Sequence, residues 1–334
     1  MDVTGAEGSD PSAGSGQAPS AGGTFTFLSL DRVPHRRREE AWLAQQLQAS
    51  TTRFVPVWGS EFLVVEEPMP RPILLSTLDL GSLQQQAESV ILLGEAEEGA
   101  YFALGLPDTE KPPANVARVG ALRHLRSVAA LLDQRDGTML AYAKAMTYWH
   151  RCHRFCGNCG SPTVSTQGGH LRVCTNPQCG QHHFPRTDPA IIVLVTSGER
   201  CLLGRQQIWP AGRYSIIAGF VEPGESLEAA VAREVREETG IAVEQVRYWA
   251  SQPWPFPSSL MLGFRAEAAS TSVQLRDGEL EAARWLSREE IAIELRQGAL
   301  RLPPEVSISY QLIESWFDAG GLRCLKHLVS QGAW

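Results

Sequence analysis

The chain has 334 residues, and 30 Lys and Arg against 37 Asp and Glu leave a formal charge of −7. With 43% hydrophobic and 20% charged residues it has the composition of a folded protein, and its length predicts more than one domain. The acidic balance excludes a general nucleic-acid coat or a basic membrane-surface protein, because nonspecific phosphate binding needs excess positive charge; a local basic groove stays open.

No uninterrupted apolar run reaches the length needed to cross a bilayer. The N-terminus lacks the basic-then-apolar pattern of a secretory signal. The chain is therefore expected in the cytoplasm, without a membrane partner. In a reducing compartment its seven Cys, four of them in two close pairs, point to a metal site before disulfides.

Residues 1–23 are almost all Gly, Ser, Ala, Pro, Asp and Thr. They cannot bury enough apolar surface to offset their ordering entropy, which predicts a disordered leader. The mixed-sign run Arg36-Arg37-Arg38-Glu39-Glu40, followed by Ala41 to Leu47, reads as a solvated helix face. From Thr52 to Leu106, strand-like runs are separated by Gly and Pro: Arg53 to Trp58, Phe62 to Val65 and Ser89 to Leu93. Val119 to Trp149 is predicted helical, with Leu122, Leu125, Val128, Ala129 and Leu132 at three-and-four spacing. Residues 24–150 thus read as an α+β domain without a catalytic motif.

Cys156-Gly157-Asn158-Cys159 and Cys174-Thr175-Asn176-Pro177-Gln178-Cys179 form a C-x2-C, fourteen-residue, C-x4-C array. Gly- or Pro-containing knuckles let each pair of thiolates converge. The segment between, with Gly168-Gly169 at its turn, has the length of a hairpin that joins them. Four thiolates fill a tetrahedral zinc shell and leave no position for water, so the zinc is structural. Its binding energy folds a ribbon, residues 151–187, too small to make its own core. Cys152, His150, His153, His182 and His183 are spare ligands nearby, expected at the surface or facing substrate. A purely nucleic-acid-binding ribbon is the lesser reading, since the insert is only mildly basic.

Residues 188–334 open on the buried-strand run Ala190 to Val195, then alternate strands and helices to a terminal helix around Ser307 to Phe317. No repeat of the solenoid kind is visible. Within this segment Gly219 to Ile241 reads as loop, helix, loop. Gly219 and Gly224 allow a tight turn, Ser226 is the N-cap, Glu228 suits the first turn and Gly240 stops the helix. Glu234, Glu237 and Glu238, at i, i+3 and i+4, project from one face and repel one another. Arg233 and Arg236 flank the cluster and offset part of this. Divalent cations are the economical explanation, because hard carboxylate oxygens suit Mg²⁺ or Mn²⁺ and those ions bridge carboxylates to phosphates. A merely solvated acidic helix face is the alternative.

The pattern G-x5-E-x7-R-E-U-x-E-E-x-G-U, with U aliphatic, is met at every defined position from Gly219 to Ile241. The chain thus resembles the Nudix hydrolases, which cleave nucleoside diphosphates linked to another moiety. The resemblance implies a C-terminal α/β/α sandwich. It implies that Glu234, Glu237 and Glu238 are catalytic and hold the metals, with Glu225 supporting the loop. Downstream, Ser251-Gln252-Pro253-Trp254-Pro255-Phe256-Pro257-Ser258-Ser259 alternates prolines with aromatics. The prolines stiffen the chain and would present Trp254 and Phe256, extended, as platforms for a planar base; a core plug or interface segment is the plainer alternative. This element is similar to the SQPWPFPxS signature of the NADH pyrophosphatase family, which also carries a four-Cys ribbon before its Nudix domain. The resemblance spans about Trp149 to Phe317.

It implies that Gln252, Pro253, Trp254, Pro255, Phe256, Pro257, Ser258 and Ser259 line a dinucleotide site. It also implies that the Ala218 carbonyl and Glu279 complete the metal set; Glu281 is the rival of Glu279. Phe184 stands where the family commonly has Tyr, and Ser309 where it often has Ala. The implied activity is metal-dependent hydrolysis of NADH or NAD⁺ to AMP and nicotinamide mononucleotide, extending to removal of NAD caps from RNA 5′ ends. The implied assembly is a homodimer. A Nudix enzyme for another substrate such as ADP-ribose, and a non-catalytic NAD- or RNA-binding module, are the alternatives.

Overall fold

Apolar runs bounded by Gly and Pro build two sheets, and the Cys-rich insert lies between them as a ribbon. The computed structural model describes residues 25–26, 30–276, 278–321 and 324–329. The leader expected over residues 1–23 lies outside them.

The first unit contains α1 (Glu40–Gln48), β1 (Arg53–Trp58), β2 (Glu61–Val65), β3 (Arg71–Pro72), α2 (Leu83–Gln86), β4 (Ser89–Ala96), β5 (Gly99–Leu106), α3 (Ala114–Ala117), β6 (Ala121–His124), α4 (Leu125–Val128) and α5 (Gln134–Cys152). Its sheet runs β3-β2-β1-β5-β4, with β6 also on β2. Period-two alternation buries both faces. Val55, Val57, Ile91 and Leu93 pack on Met139, Leu140 and Met146 of α5. Phe54, Leu92, Phe102 and Leu104 face Trp42 and Leu83 on the opposite side. A fully buried Leu such as Leu93 or Leu140 contributes about 1.5–3 kcal/mol.

The single helix expected over Val119 to Trp149 does not form. The segment is instead strand β6, one-turn α4 and long α5. The edge of β2 recruits residues 121–124, pairing Leu63 with Leu122. His124 caps α4 by accepting from the Arg126 amide, and Asp133 caps α5 by accepting from the Asp136 amide. A free strand edge outweighs helical spacing here. Helix α5 also runs on to Cys152, past the boundary expected at residue 150.

The ribbon has β7 (Thr163–Thr166), β8 (Leu171–Cys174) and β9 (His182–His183), in that order. Its turn docks on β4. The His170 ring bonds the Leu92 carbonyl at 2.7 Å, and Gly169 lies so close to β4 that a Cβ there would meet Ile91 at 2.9 Å. His150, expected at the surface or facing substrate, is instead buried in this seam. Arg172 can only donate, so His150 Nδ1 accepts from it at 2.9 Å, and Nε2 donates to the Gly169 carbonyl at 2.8 Å. Burial pushes the imidazole down to about 4, which keeps it neutral in this role.

The last unit has β10 (Asp188–Ser197), β11 (Arg200–Gln206), β12 (Ile217–Phe220), α6 (Leu227–Thr239), β13 (Val243–Trp254), β14 (Ser259–Ala268), β15 (Leu280–Ser287), α7 (Arg288–Gln297) and α8 (Ile308–Asp318). The sheet order is β13-β14-β10-β11-β15, with β12 on β10. Ile191, Val193 and Val195 pack under Ala230, Val231 and Val235 of α6. Ile192 and Leu194 face Ile291 of α7 and Leu312, Ile313 and Trp316 of α8. This is an α/β/α sandwich. Cys201 is fully buried in it, and burial pushes its thiol up to about 12, as suits a small core residue.

The two sheets share most of their connectivity, although β3 pairs with the second strand, β2, whereas β12 pairs with the central strand, β10. In each, a central strand (β1 or β10) pairs antiparallel with the next strand (β2 or β11) and parallel with a later one (β5 or β14). That later strand pairs antiparallel with its predecessor (β4 or β13), and the second strand with the last (β6 or β15). Between β3 and β4, however, the first unit has only the four residues of α2, where the last unit has the thirteen of α6.

The docking of Gly169 on β4 makes a sharp test. Its φ of +91° also disfavours any side chain. Gly169→Ala should destabilise the protein by about 1–3 kcal/mol in denaturant unfolding. Gly157→Ala, where a Cβ meets nothing, should stay within about 0.5 kcal/mol of the parent.

Candidate functional site

Helix α6 begins where expected. Ser226 Oγ accepts from the Ala229 amide at 3.2 Å, and Gly240 closes the helix in the left-handed region with φ 73°. Of the three clustered carboxylates, Glu238 is buried, the Glu234 side chain is 12% exposed and that of Glu237 is 54% exposed.

Arg233 does not flank this cluster; it occupies its centre. Its guanidinium donates to both Glu225 oxygens at 3.0 and 2.6 Å, to Glu234 at 2.9 Å, to Glu237 at 3.0 Å and to the Phe220 carbonyl at 2.9 Å. Its five donors are fixed in a planar fork, which lets one side chain reach loop, strand and helix together. The Arg233 bonds, with the Glu222 amide second, hold the Glu225 carboxyl down to about 2. Burial raises the pKa of Glu234, and the neighbouring charges of Glu237 and Glu279 add to that rise. Glu279 therefore acts on this cluster, whereas its rival Glu281 is turned to Arg205, 2.8 Å away.

Ala218 lies on β12 opposite Ile192. Beside it Gly219 leaves the space that the Glu234 carboxyl fills, since a Cβ there would fall 1.9 Å from Glu234 Cδ. Hard oxygen donors around a partly desolvated carboxylate fit a divalent cation of the Mg²⁺ or Mn²⁺ kind.

On the α7–α8 side of the sheet, the face opposite α6, is a cavity of 180 Å³. That is below the ~300 Å³ lower bound of drug-sized pockets and suits one planar ring. Gln252, Trp254 and Ser309 line it, as do Ile192, Ser215 and Met261. Gln252 acts as a clamp: its side-chain amide donates to the Val306 carbonyl at 2.6 Å and its oxygen accepts from the Ile308 amide at 2.8 Å. Ser309 and Ser215 share a hydroxyl bond of 2.8 Å.

The proline–aromatic motif is not extended throughout. Strand β13 ends at Trp254, and Pro255 to Ser258 turn back into β14. Trp254 and Phe256 stay in edge-to-face contact, ring centroids 5.1 Å apart, and both pack against the core of the first unit. The Phe256 ring is also stacked with His124 at 6.1 Å and lies under Arg126 at 4.7 Å and Lys144 at 5.3 Å. Pro255 is buried, Pro253 and Pro257 are exposed, and Ser258 donates to Asp188 at 2.7 Å while Ser259 is buried on β14. Phe184 stands apart on the ribbon, 59% exposed, and does not line the cavity. Ile192, Met261 and the exposed Phe220 were not singled out from sequence. A wholly apolar strand run does not say which side chains face a pocket.

The four Cys sulfurs lie within 4.8 Å of one another, with Cys156–Cys179 at 3.8 Å and Cys159–Cys174 at 3.4 Å. A tetrahedral zinc with bonds of ~2.3 Å separates sulfurs by about 3.8 Å, so the quartet fits that ion. Asn158 Nδ2 donates to Cys179 Sγ at 3.5 Å, a bond that steadies the thiolate. Among the described residues this is the one such convergence of three or more His, Cys, Asp or Glu ligand atoms.

Stripping zinc should release the hairpin tip from β4 and lower the melting temperature, with zinc re-addition restoring it. Gly219→Ala should expel the Glu234 carboxyl and weaken Mn²⁺ binding about tenfold or more in calorimetric titration. Its circular dichroism should be unchanged.

Three family models match in succession. A NADH pyrophosphatase-like rudimentary NUDIX domain covers residues 51–149, a NADH pyrophosphatase zinc ribbon domain 151–184, and a NUDIX domain 186–306. Among curated relatives, the NAD-capped RNA hydrolase NudC of Mycobacterium bovis is 43% identical over 304 residues, covering 86% of this chain and 96% of that protein. The human mitochondrial NAD(P)H pyrophosphatase NUDT13 is 38% identical over 262 residues, covering 71% and 74%. The human NAD-capped RNA hydrolase NUDT12 is 34% identical over 335 aligned residues, covering 87% and 72%. With the ribbon, the carboxylate helix and the shared connectivity in place, the chain belongs to the NADH pyrophosphatase family of the Nudix hydrolases.

Proposed function

We propose that this chain hydrolyses the pyrophosphate bond of NADH or NAD⁺, giving AMP and nicotinamide mononucleotide. The observation that carries this reading is the carboxylate cluster gathered around Arg233, with the Glu234 carboxyl seated against Gly219 of β12. Glu234, Glu237, Glu238 and Glu279, with the Ala218 carbonyl, would hold Mg²⁺ or Mn²⁺. Such ions screen pyrophosphate charge and acidify a bound water. Trp254, with Ile192 and Met261, offers an apolar slot for one planar ring of the substrate. Arg233, Arg236 and Arg276 line a second, open cavity with Glu237, where guanidiniums can meet phosphate oxygens. A carboxylate of the cluster takes the proton of the attacking water. The new P–O bond forms as the bridging P–O bond breaks, and the leaving phosphate departs as a monoester.

The same pyrophosphate bond lies within an NAD cap, between nicotinamide mononucleotide and the first adenosine of the RNA, and the exposed Arg236 and Arg276 keep the rim open to a longer chain. We also infer a cytoplasmic homodimer. Its support is that Phe184, expected against substrate, lies outside its own chain's cavity, so a second copy would have to supply it. The domain limits proposed are 24–150, 151–187 and 188–334.

Incubated with NADH and Mg²⁺ or Mn²⁺, the protein should release AMP and reduced nicotinamide mononucleotide, and chelation of the added metal should stop it. Catalytic efficiency on NADH should exceed that on ADP-ribose and diadenosine polyphosphates; parity would overturn the substrate assignment. Glu238→Gln should cost about 10²-fold or more in kcat with the fold retained. Trp254→Ala should mainly raise KM, by about tenfold.

A further inference from the structure

A separate cavity lies at the seam of the first sheet, α5 and the zinc ribbon. Its volume of 470 Å³ falls within the ~300–1,000 Å³ of small-molecule sites. Its floor is apolar and tightly closed: Val57 and Leu106 are each 2% exposed, and a Cβ on Gly105 would strike Ser89 Oγ at 2.4 Å.

Three guanidiniums line this cavity, those of Arg151, Arg154 and Arg172. Arg172 is buried and donates to the His153 carbonyl, the Thr163 hydroxyl and carbonyl, and His150 Nδ1. All four acceptors are neutral, so these bonds fix the guanidinium without cancelling its charge. Exposed Arg154 adds like charge beside it: burial first and Arg154 second hold the Arg172 pKa below its ordinary value. Arg151 is shared with Asp108 at 3.5 Å, a surface contact that water and salt weaken. Among the described residues the one carboxylate on the lining is Glu88, exposed. The Phe155 ring, 64% exposed, completes the opening.

A buried guanidinium bonded only to neutral groups favours an anion nearby. Planar guanidinium forks match phosphate oxygens, and an exposed aromatic ring matches the face of a base. We infer that this seam cavity is a second binding site, for a nucleoside monophosphate, with its phosphate on Arg151 and Arg154 and its base against Phe155.

AMP titrated calorimetrically into the full-length, zinc-loaded chain should show two sites. Arg154→Glu should remove one of them, weakening it at least tenfold, while zinc content, melting temperature and NADH turnover stay at parental levels. Trp254→Ala should affect only the other. Phe155→Leu should weaken AMP at the seam but leave inorganic phosphate binding there unchanged, because only the base contact is lost. A single AMP site that Trp254→Ala abolishes would overturn the inference. So would unchanged AMP binding in Arg154→Glu, or a Phe155→Leu variant that alters both probes equally.

Discussion

The crowding of carboxylates at one end of α6 is the constraint on which this molecule turns. Glu225, Glu234 and Glu237 stand close enough to share a single guanidinium, that of Arg233. Like charges at that spacing are tolerable only with positive charge between them. Arg233 supplies part of it and at the same time ties the loop at Glu225, the strand end at Phe220 and the helix into one unit. The remaining deficit shows in Glu234, whose carboxyl burial and neighbouring charges push toward the protonated form. A cluster so arranged is poised for cations, and through them for a diphosphate.

The molecule is also built on two sandwiches of largely common connectivity, of which only the second carries that helix. The four-residue α2 has neither the length nor the carboxylates for the same chemistry. The first sandwich instead braces the second. Phe256 of the substrate motif lies between His124, Arg126 and Lys144, and the ribbon turn packs on β4 at Ile91. Ribbon, helix α5 and both sheets therefore form a continuous frame, with the ring-sized cavity and the seam cavity at different joints of it.

Local signals were legible where covalent spacing alone sets the geometry. The C-x2-C and C-x4-C knuckles, the Ser226 cap, the Gly240 stop and the three-and-four placement of Glu234, Glu237 and Glu238 all concern atoms a few residues apart. Strand runs such as Arg53 to Trp58 and Ala190 to Val195 were legible because continuous apolar residues between turn formers have few other uses. The segment from Val119 was misread because its leucines satisfy helical spacing, and the edge of β2 that captures Ala121 to His124 lies more than fifty residues away in the chain. His150 was misplaced for a similar reason: its partners, Gly169 and Arg172, come from the far end of the ribbon hairpin.

The sequence by itself determined the chemistry available here: four thiolates for zinc, a helix face of carboxylates for hard cations, and two aromatics fixed by prolines. Only the tertiary structure decided how these parts are used. It drew Arg233 among the carboxylates, packed both Trp254 and Phe256 on a neighbouring core with only Trp254 also lining a cavity, and gathered three guanidiniums at a seam. Residue type and local spacing set which bonds a side chain can make. Which bonds it does make depends on groups brought close by packing across the whole chain, and no local pattern encodes that proximity.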